Sequence, residues 1–138
     1  MPKNPIVHFE LMGPDGDALR DFYREVFDWK FQSPPGFDNY HMVDASDAGV
    51  GGAVGQGMEE MPAYAAIYVQ VDEIDTALDA IGDAGGVTVV PRTVIPDTVV
   101  FGMFRDPAGN LVALVEGCLL YTSPSPRDLS SSRMPSSA

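Results

Sequence analysis

Cysteine is almost missing from the 138 residues: Cys118 is the only one, so no disulfide framework can form within the chain. Basic residues are also scarce. Eight Lys and Arg stand against 20 Asp and Glu, a formal charge of −12. Such a balance repels phosphate backbones and argues against nucleic-acid binding. Its simplest physical meaning is a solvated acidic surface. No apolar run approaches membrane-spanning length, and MPKNPIVHFE lacks the basic-then-apolar pattern of a secretory leader. A cytoplasmic protein is expected.

Familiar catalytic motifs are wanting too. There is no G-x-S-x-G run, so nucleophilic catalysis of a familiar type has no candidate in the sequence. The glycine-rich GVGGAVG run has no helix pattern after it, and Pro62 intervenes, so it makes a poor phosphate loop. Only two histidines occur, His8 and His41.

His8 lies in IVHFEL, residues 6–11. As a strand, this places Ile6, His8 and Glu10 on one face and Val7, Phe9 and Leu11 on the other. An imidazole and a carboxylate then share a face, roughly 6.6 Å apart along the strand. Such a pair suits three roles: acid/base chemistry, with Glu10 raising the His8 pKa; metal ligation; or a plain polar contact.

The stretch from 118 to 138, CLLYTSPSPRDLSSSRMPSSA, departs in composition from everything before it. Ser and Pro dominate it, as in a disordered tail. CLLYTSPSPRD is also what the genetic code gives for a string resembling a transposon adapter of short-read sequencing libraries. SRMPSSA resembles the flow-cell end of the same adapter, in frame and in order. The tail is therefore expected to be translated adapter read-through, leaving residues 1–117 as one native domain and giving Cys118 no functional meaning.

Those 117 residues carry a faint internal repeat. IVHFELMGPDGDALRDFYREVFDWKF reads as strand, turn, helix, strand, with the helix starting near Pro14-Asp15. Leu19, Phe22, Tyr23, Val26 and Phe27 recur at helical spacing and predict an inward stripe. In AAIYVQVDEIDTALDAIGDAGGVTVV, a strand over 65–71 leads to an Asp72 cap and a helix with Ile74, Leu78 and Ile81 on one face. Gly85-Gly86 ends it before a strand over 87–90. Hairpin material follows each helix: NYHMVDAS with GVGGAVGQG, then TVVFGMFRD with NLVALVE around the turn DPAGN. The expectation is an α+β fold of two βαβββ modules, about 5–56 and 63–116, with Gly57 to Pro62 as linker. Curved mixed sheets would enclose a concave cavity, with helices packed outside.

The paired βαβββ units, FYREVFDW, and VDEIDTALDAI with FRDPAGNLVALVE resemble the vicinal oxygen chelate superfamily, which includes glyoxalase I, extradiol dioxygenases and bleomycin-resistance proteins. The resemblance covers residues 5–116. It implies a divalent-metal site with ligands from the first and last strand of each unit. His8 matches the first of these positions. Ala66 and Ala113 fall on two others, and the strand around 50–54 offers no donor. Glu116 lies three residues beyond Ala113, on the other face, where it caps a sheet edge or meets solvent. The usual metal site is thus expected to be lost, with no cofactor, although His41 leaves a rearranged site open.

Two functions follow from the resemblance. One is metal-independent binding of a small organic molecule by a homodimer, as in bleomycin-resistance proteins. The other is a lyase or isomerase with His8 as general base and Glu10 or Tyr68 assisting. Met12, Trp29, Tyr40, Met42, Gln70, Met103 and Ala113 are the candidate ligand-binding residues, with Met and aromatic side chains giving an adaptable apolar lining.

Overall fold

Alternating side chains in β1 (Ile6–Gly13) set up the first half of the fold, and the more buried face of that strand is the polar one, through His8 and Glu10. The structure is a computed structural model that describes residues 3–116; the predicted artefactual tail lies outside the described residues. The remaining elements are α1 (Gly16–Phe27), β2 (Phe31–Gln32), β3 (Tyr40–Val43), α2 (Ala45–Ala48), β4 (Gly52–Gln56), β5 (Tyr64–Val71), α3 (Ile74–Asp83), β6 (Val87–Ile95), β7 (Val99–Arg105) and β8 (Leu111–Glu116). The fold is α+β, built of βαβββ-like modules, with a short extra helix, α2, that the sequence pattern does not announce. Contacts divide the described residues into a unit of Val7–Ile67 and a second unit of residues 68–116 together with residues 3–6.

In the first unit the strand order is β2-β3-β4-β1. β1 runs parallel to β4, with Glu10 beside Ala53 and Met12 beside Gly55, and β3 is antiparallel to β4, with His41 beside Val54. The glycine-rich run is therefore a strand, and its glycines answer to packing. A Cβ on Gly52 would run into the Phe9 ring, and one on Gly16 would stand 2.7 Å from the Gln56 nitrogen. These positions let the Phe9 ring and the start of α1 lie directly on β4.

α1 begins where the sequence places it. The Asp15 side chain accepts from the Ala18 N–H at 3.1 Å, and the helix ends at Asp28 in the left-handed region, φ 60°. Its apolar stripe needs correction: Leu19 and Tyr23 are half-buried, whereas Phe22, Val26 and Phe27 are each more than half exposed. Helical periodicity reports that a face is apolar, not how much of it the chain covers.

In the second unit the order is β5-β8-β7-β6, with β5 parallel to β8 and both hairpin pairings antiparallel. Each unit thus closes by pairing its first strand in parallel with its last. Ile74 at the start of α3 is fully buried and approaches Gly102 of β7, where an added Cβ would stand 3.1 Å from its Cγ2. Asp72 is not the cap of this helix. The N-cap is Glu73, whose side chain makes no capping bond, and the Ile74 N–H instead donates to Glu116 Oε2 at 2.9 Å. Glu116 therefore does face away from the Ala113 side, as the odd spacing required, but it caps a helix and also accepts both Nε and Nη2 of Arg92.

Candidate functional site

Register assigns the side chains of the first unit to two faces. Phe9, Gly52, Val43 and Phe31 are neighbours on one, and His41, Val54 and Leu11 share it. This is the α1 face, since Trp29 packs against Phe9, Tyr23 and Phe27, with centroids 5.9, 5.8 and 5.3 Å away. The other face carries His8, Glu10, Met12, Ala53, Gly55, Tyr40 and Met42. Small Ala53 and Gly55 on the intervening strand leave a path for Tyr40 to reach across β4 to β1.

Tyr40 uses that path. Its hydroxyl donates to Glu10 Oε2 at 2.7 Å and lies 2.9 Å from His8 Nε2. Tyr64 donates its own hydroxyl to the other carboxylate oxygen, Oε1, at 3.1 Å. A carboxylate only accepts, so the Tyr40 proton points to Glu10, and its oxygen must receive the proton of His8 Nε2. The direction of the chain is thereby fixed: His8 Nε2–H to Tyr40, Tyr40 to Glu10, Tyr64 to Glu10. Glu10 is 5% exposed and His8 6%.

Burial governs the electrostatics. Desolvation pushes the His8 imidazole down to about 4, so it is neutral at pH 7. The expected upward push from Glu10 does not win, because the ring is removed from water. Tyr64 moves the other way. Burial first, then the Glu10 charge and its hydrogen bond, hold its phenol well above the ordinary tyrosine range.

The candidate residues divide between the units. His8, Glu10, Met12, Tyr40 and Met42 share the face just described, and Trp29 lies on the opposite, α1 face. In the second unit, Tyr68 stands beside Ala113, and Ala113 beside Met103, with Gln70 one pleat further on the same face. Ala66 and Ala113 are both buried. Tyr64 escaped the sequence reading as a partner of Glu10, although it lies two residues before Ala66 on the same strand face, a signal that alternation could have supplied.

His41, which the sequence offers only as a ligand of a rearranged metal site with His8 and Glu10, lies on the opposite face and forms a second polar cluster. His41, 2% exposed, places Nε2 2.9 Å from Asp17 Oδ1 and Nδ1 2.7 Å from the Ser33 hydroxyl. It is separated from the first by the sheet, since residues 40 and 41 point to opposite faces.

The metal site that the fold family implies can be tested on these donors. Among the described residues no three His, Cys, Asp or Glu side chains come together in a group that could hold an ion. Both Glu10 oxygens are taken by phenols and His8 Nε2 by Tyr40. The residues present do not fit a divalent cation. Among the described residues no helix is long and apolar enough to cross a membrane.

The profile of the Glyoxalase/Bleomycin resistance protein/Dioxygenase superfamily matches residues 5–114. Proteins of Mycobacterium bovis and Mycobacterium tuberculosis, both named "Putative glyoxylase CFP32", are 30% identical over 109 residues, 78% of this chain. The chain spans only 42% of the length of these relatives. Among solved structures, a superfamily member from Vibrio splendidus superposes with a TM-score of 0.56 at 14% identity, covering 82% of this chain and 97% of that one. Methylmalonyl-CoA epimerase from Mycobacterium tuberculosis gives 0.58 at 12% identity, covering 83% and 88%. At such identities the likeness concerns the fold alone.

Proposed function

Because the chain belongs to the Glyoxalase/Bleomycin resistance protein/Dioxygenase superfamily, we propose that it binds a small organic molecule without using the usual metal. The molecule lies on the sheet face of the first unit that carries His8, Glu10, Tyr40 and Tyr64. The observation that carries this reading is the double capture of Glu10 by Tyr40 and Tyr64. A buried carboxylate held by two phenols is a rigid polar anchor, and Met12 and Met42 beside it supply adaptable apolar contact.

The lyase or isomerase reading with His8 as general base is less well supported. An imidazole lowered to about 4 is a weak base at neutral pH, and its Nε2–H is directed at Tyr40. The name of the mycobacterial relatives keeps glyoxylase-type chemistry in view, but this chain spans only 42% of their length. The homodimer implied by the family resemblance belongs to the same reading and is checked by light scattering on the purified chain.

The test is a thermal-shift screen of small organic molecules, followed by calorimetric titration of each hit against wild type and Tyr40→Phe. A hit that binds wild type, and binds Tyr40→Phe at least tenfold more weakly, supports the reading. Hits indifferent to Tyr40, or a stoichiometric metal whose binding depends on His8, overturn it.

A further inference from the structure

The His41 cluster lies on the α1 face, away from Glu10, and has the composition of a nucleophile with its base. Asp17, in the first turn of α1, accepts from His41, because a carboxylate cannot donate. Nε2 therefore carries the ring proton when His41 is neutral. Nδ1 is left with its lone pair, 2.7 Å from the Ser33 hydroxyl. Ser33 must then be the donor in that contact. The exposures also match such a relay: Ser33 is exposed, His41 is buried, and the Asp17 side chain reaches it from a mostly solvated position, 60% exposed.

We propose that Ser33 is a nucleophile activated by His41, with Asp17 as the positioning residue, and that it accepts acyl groups from esters with good leaving groups. In the first half-reaction Ser33 Oγ bonds to the acyl carbon and its proton passes to His41 Nδ1. The bond from that carbon to the leaving oxygen breaks, and the leaving group takes up the proton from Nδ1. Water then attacks the acyl-serine, giving its proton to Nδ1. The carboxylic acid departs as the acyl bond to Oγ breaks, and Ser33 recovers the proton. Asp17 holds the ring in the productive tautomer and faces the imidazolium charge as it forms. The relay supplies activation of the nucleophile alone, so aryl esters, not amides, are the substrate class.

Ser46 is a built-in control. It too is exposed and donates its hydroxyl to a carboxylate, Asp44 Oδ2 at 2.6 Å, but that contact contains no imidazole. The experiment treats the full chain with a fluorophosphonate and, separately, with p-nitrophenyl acetate, and maps adducts by peptide mass spectrometry. The expected result is an adduct on Ser33 forming at least tenfold faster than on Ser46, with a p-nitrophenolate burst that Ser33→Ala abolishes. Asp17→Asn should lower the Ser33-to-Ser46 labelling ratio at least threefold, a ratio that a general loss of folding would not lower selectively. Equal labelling of the two serines, or a burst that survives Ser33→Ala, overturns the proposal. Ser33 is exposed, so its alanine variant keeps the fold even if a His41 variant does not.

Discussion

Tyr40 and Glu10 are joined across the width of β4 by a 2.7 Å hydrogen bond, and the same phenol oxygen lies 2.9 Å from His8 Nε2. One hydroxyl thus serves a carboxylate and an imidazole that belong to the same strand, from two strands away. Removing it leaves Glu10 with one phenol donor fewer and His8 Nε2–H without this acceptor. Tyr40→Phe should cost about 1–2 kcal/mol of stability, read from the urea midpoint at pH 7. A change below a few tenths of a kcal/mol would mean that solvent replaces Tyr40 at no cost.

The lowered His8 pKa makes stability depend on pH with a definite sign. The unfolded imidazole takes up a proton near 6.5, the folded one only near 4. Between those values the unfolded state binds more protons, so stability falls as the pH is lowered and is fully restored above the unfolded value. The span corresponds to about 3 kcal/mol at most. Urea denaturation from pH 4 to 7.5, compared with His8→Gln, should show a flatter profile for the variant.

Glu116 should matter chiefly as a cap. Its contact with the Ile74 N–H satisfies a helix end whose own N-cap residue does not, while the half-exposed Arg92 adds a pair worth little. Glu116→Ala should cost about 1 kcal/mol, in the range of a lost N-cap, and Arg92→Ala distinctly less. Hydrogen bonds from Arg92 hold the Glu116 carboxyl below its usual range, so its contribution is present at neutral pH and is lost as pH falls through the folded value. Thermal denaturation of both variants separates the two terms.

Gly52→Ala should be among the most damaging single-methyl changes in the chain. Its Cβ would enter the Phe9 ring, which also packs near Trp29, so relief requires moving an aromatic cluster. A loss of about 1–3 kcal/mol is expected, and Trp29 fluorescence should shift with it. Wild-type stability and an unchanged spectrum would show that Phe9 has another rotamer available.

Much of this fold was legible because strand alternation and helix caps are local. The sharing of one face by His8 and Glu10, the Asp15 cap of α1, and the placement of Glu116 opposite Ala113 all follow from counting along the chain. What counting missed depends on distant segments. The cap of α3 comes from Glu116, 42 residues away, so the nearby Asp72 was the wrong choice. Tyr64 and Tyr40 meet at Glu10 from separations of 54 and 30 residues. Asp17 lies 24 residues from His41 and Ser33 eight, and no spacing motif announces the three together. Phe22, Val26 and Phe27 are exposed although their periodicity was right, since periodicity names a face and not its neighbour.

The contact boundary between the units falls inside β5, and the segment before Val7 sits with the later half of the chain. The Pro5 carbonyl accepts from the Gln70 N–H at 2.9 Å, and Asn4 Nδ2 donates to the Gln70 carbonyl, while Tyr64 donates to Glu10. The two repeats therefore exchange ends as well as sharing a linker. A gene divided between Gly57 and Pro62 would give two fragments, each carrying away a piece that the other needs. Cleavage at that linker would yield mutually dependent halves, not autonomous modules, although the sequence repeat invites the opposite expectation.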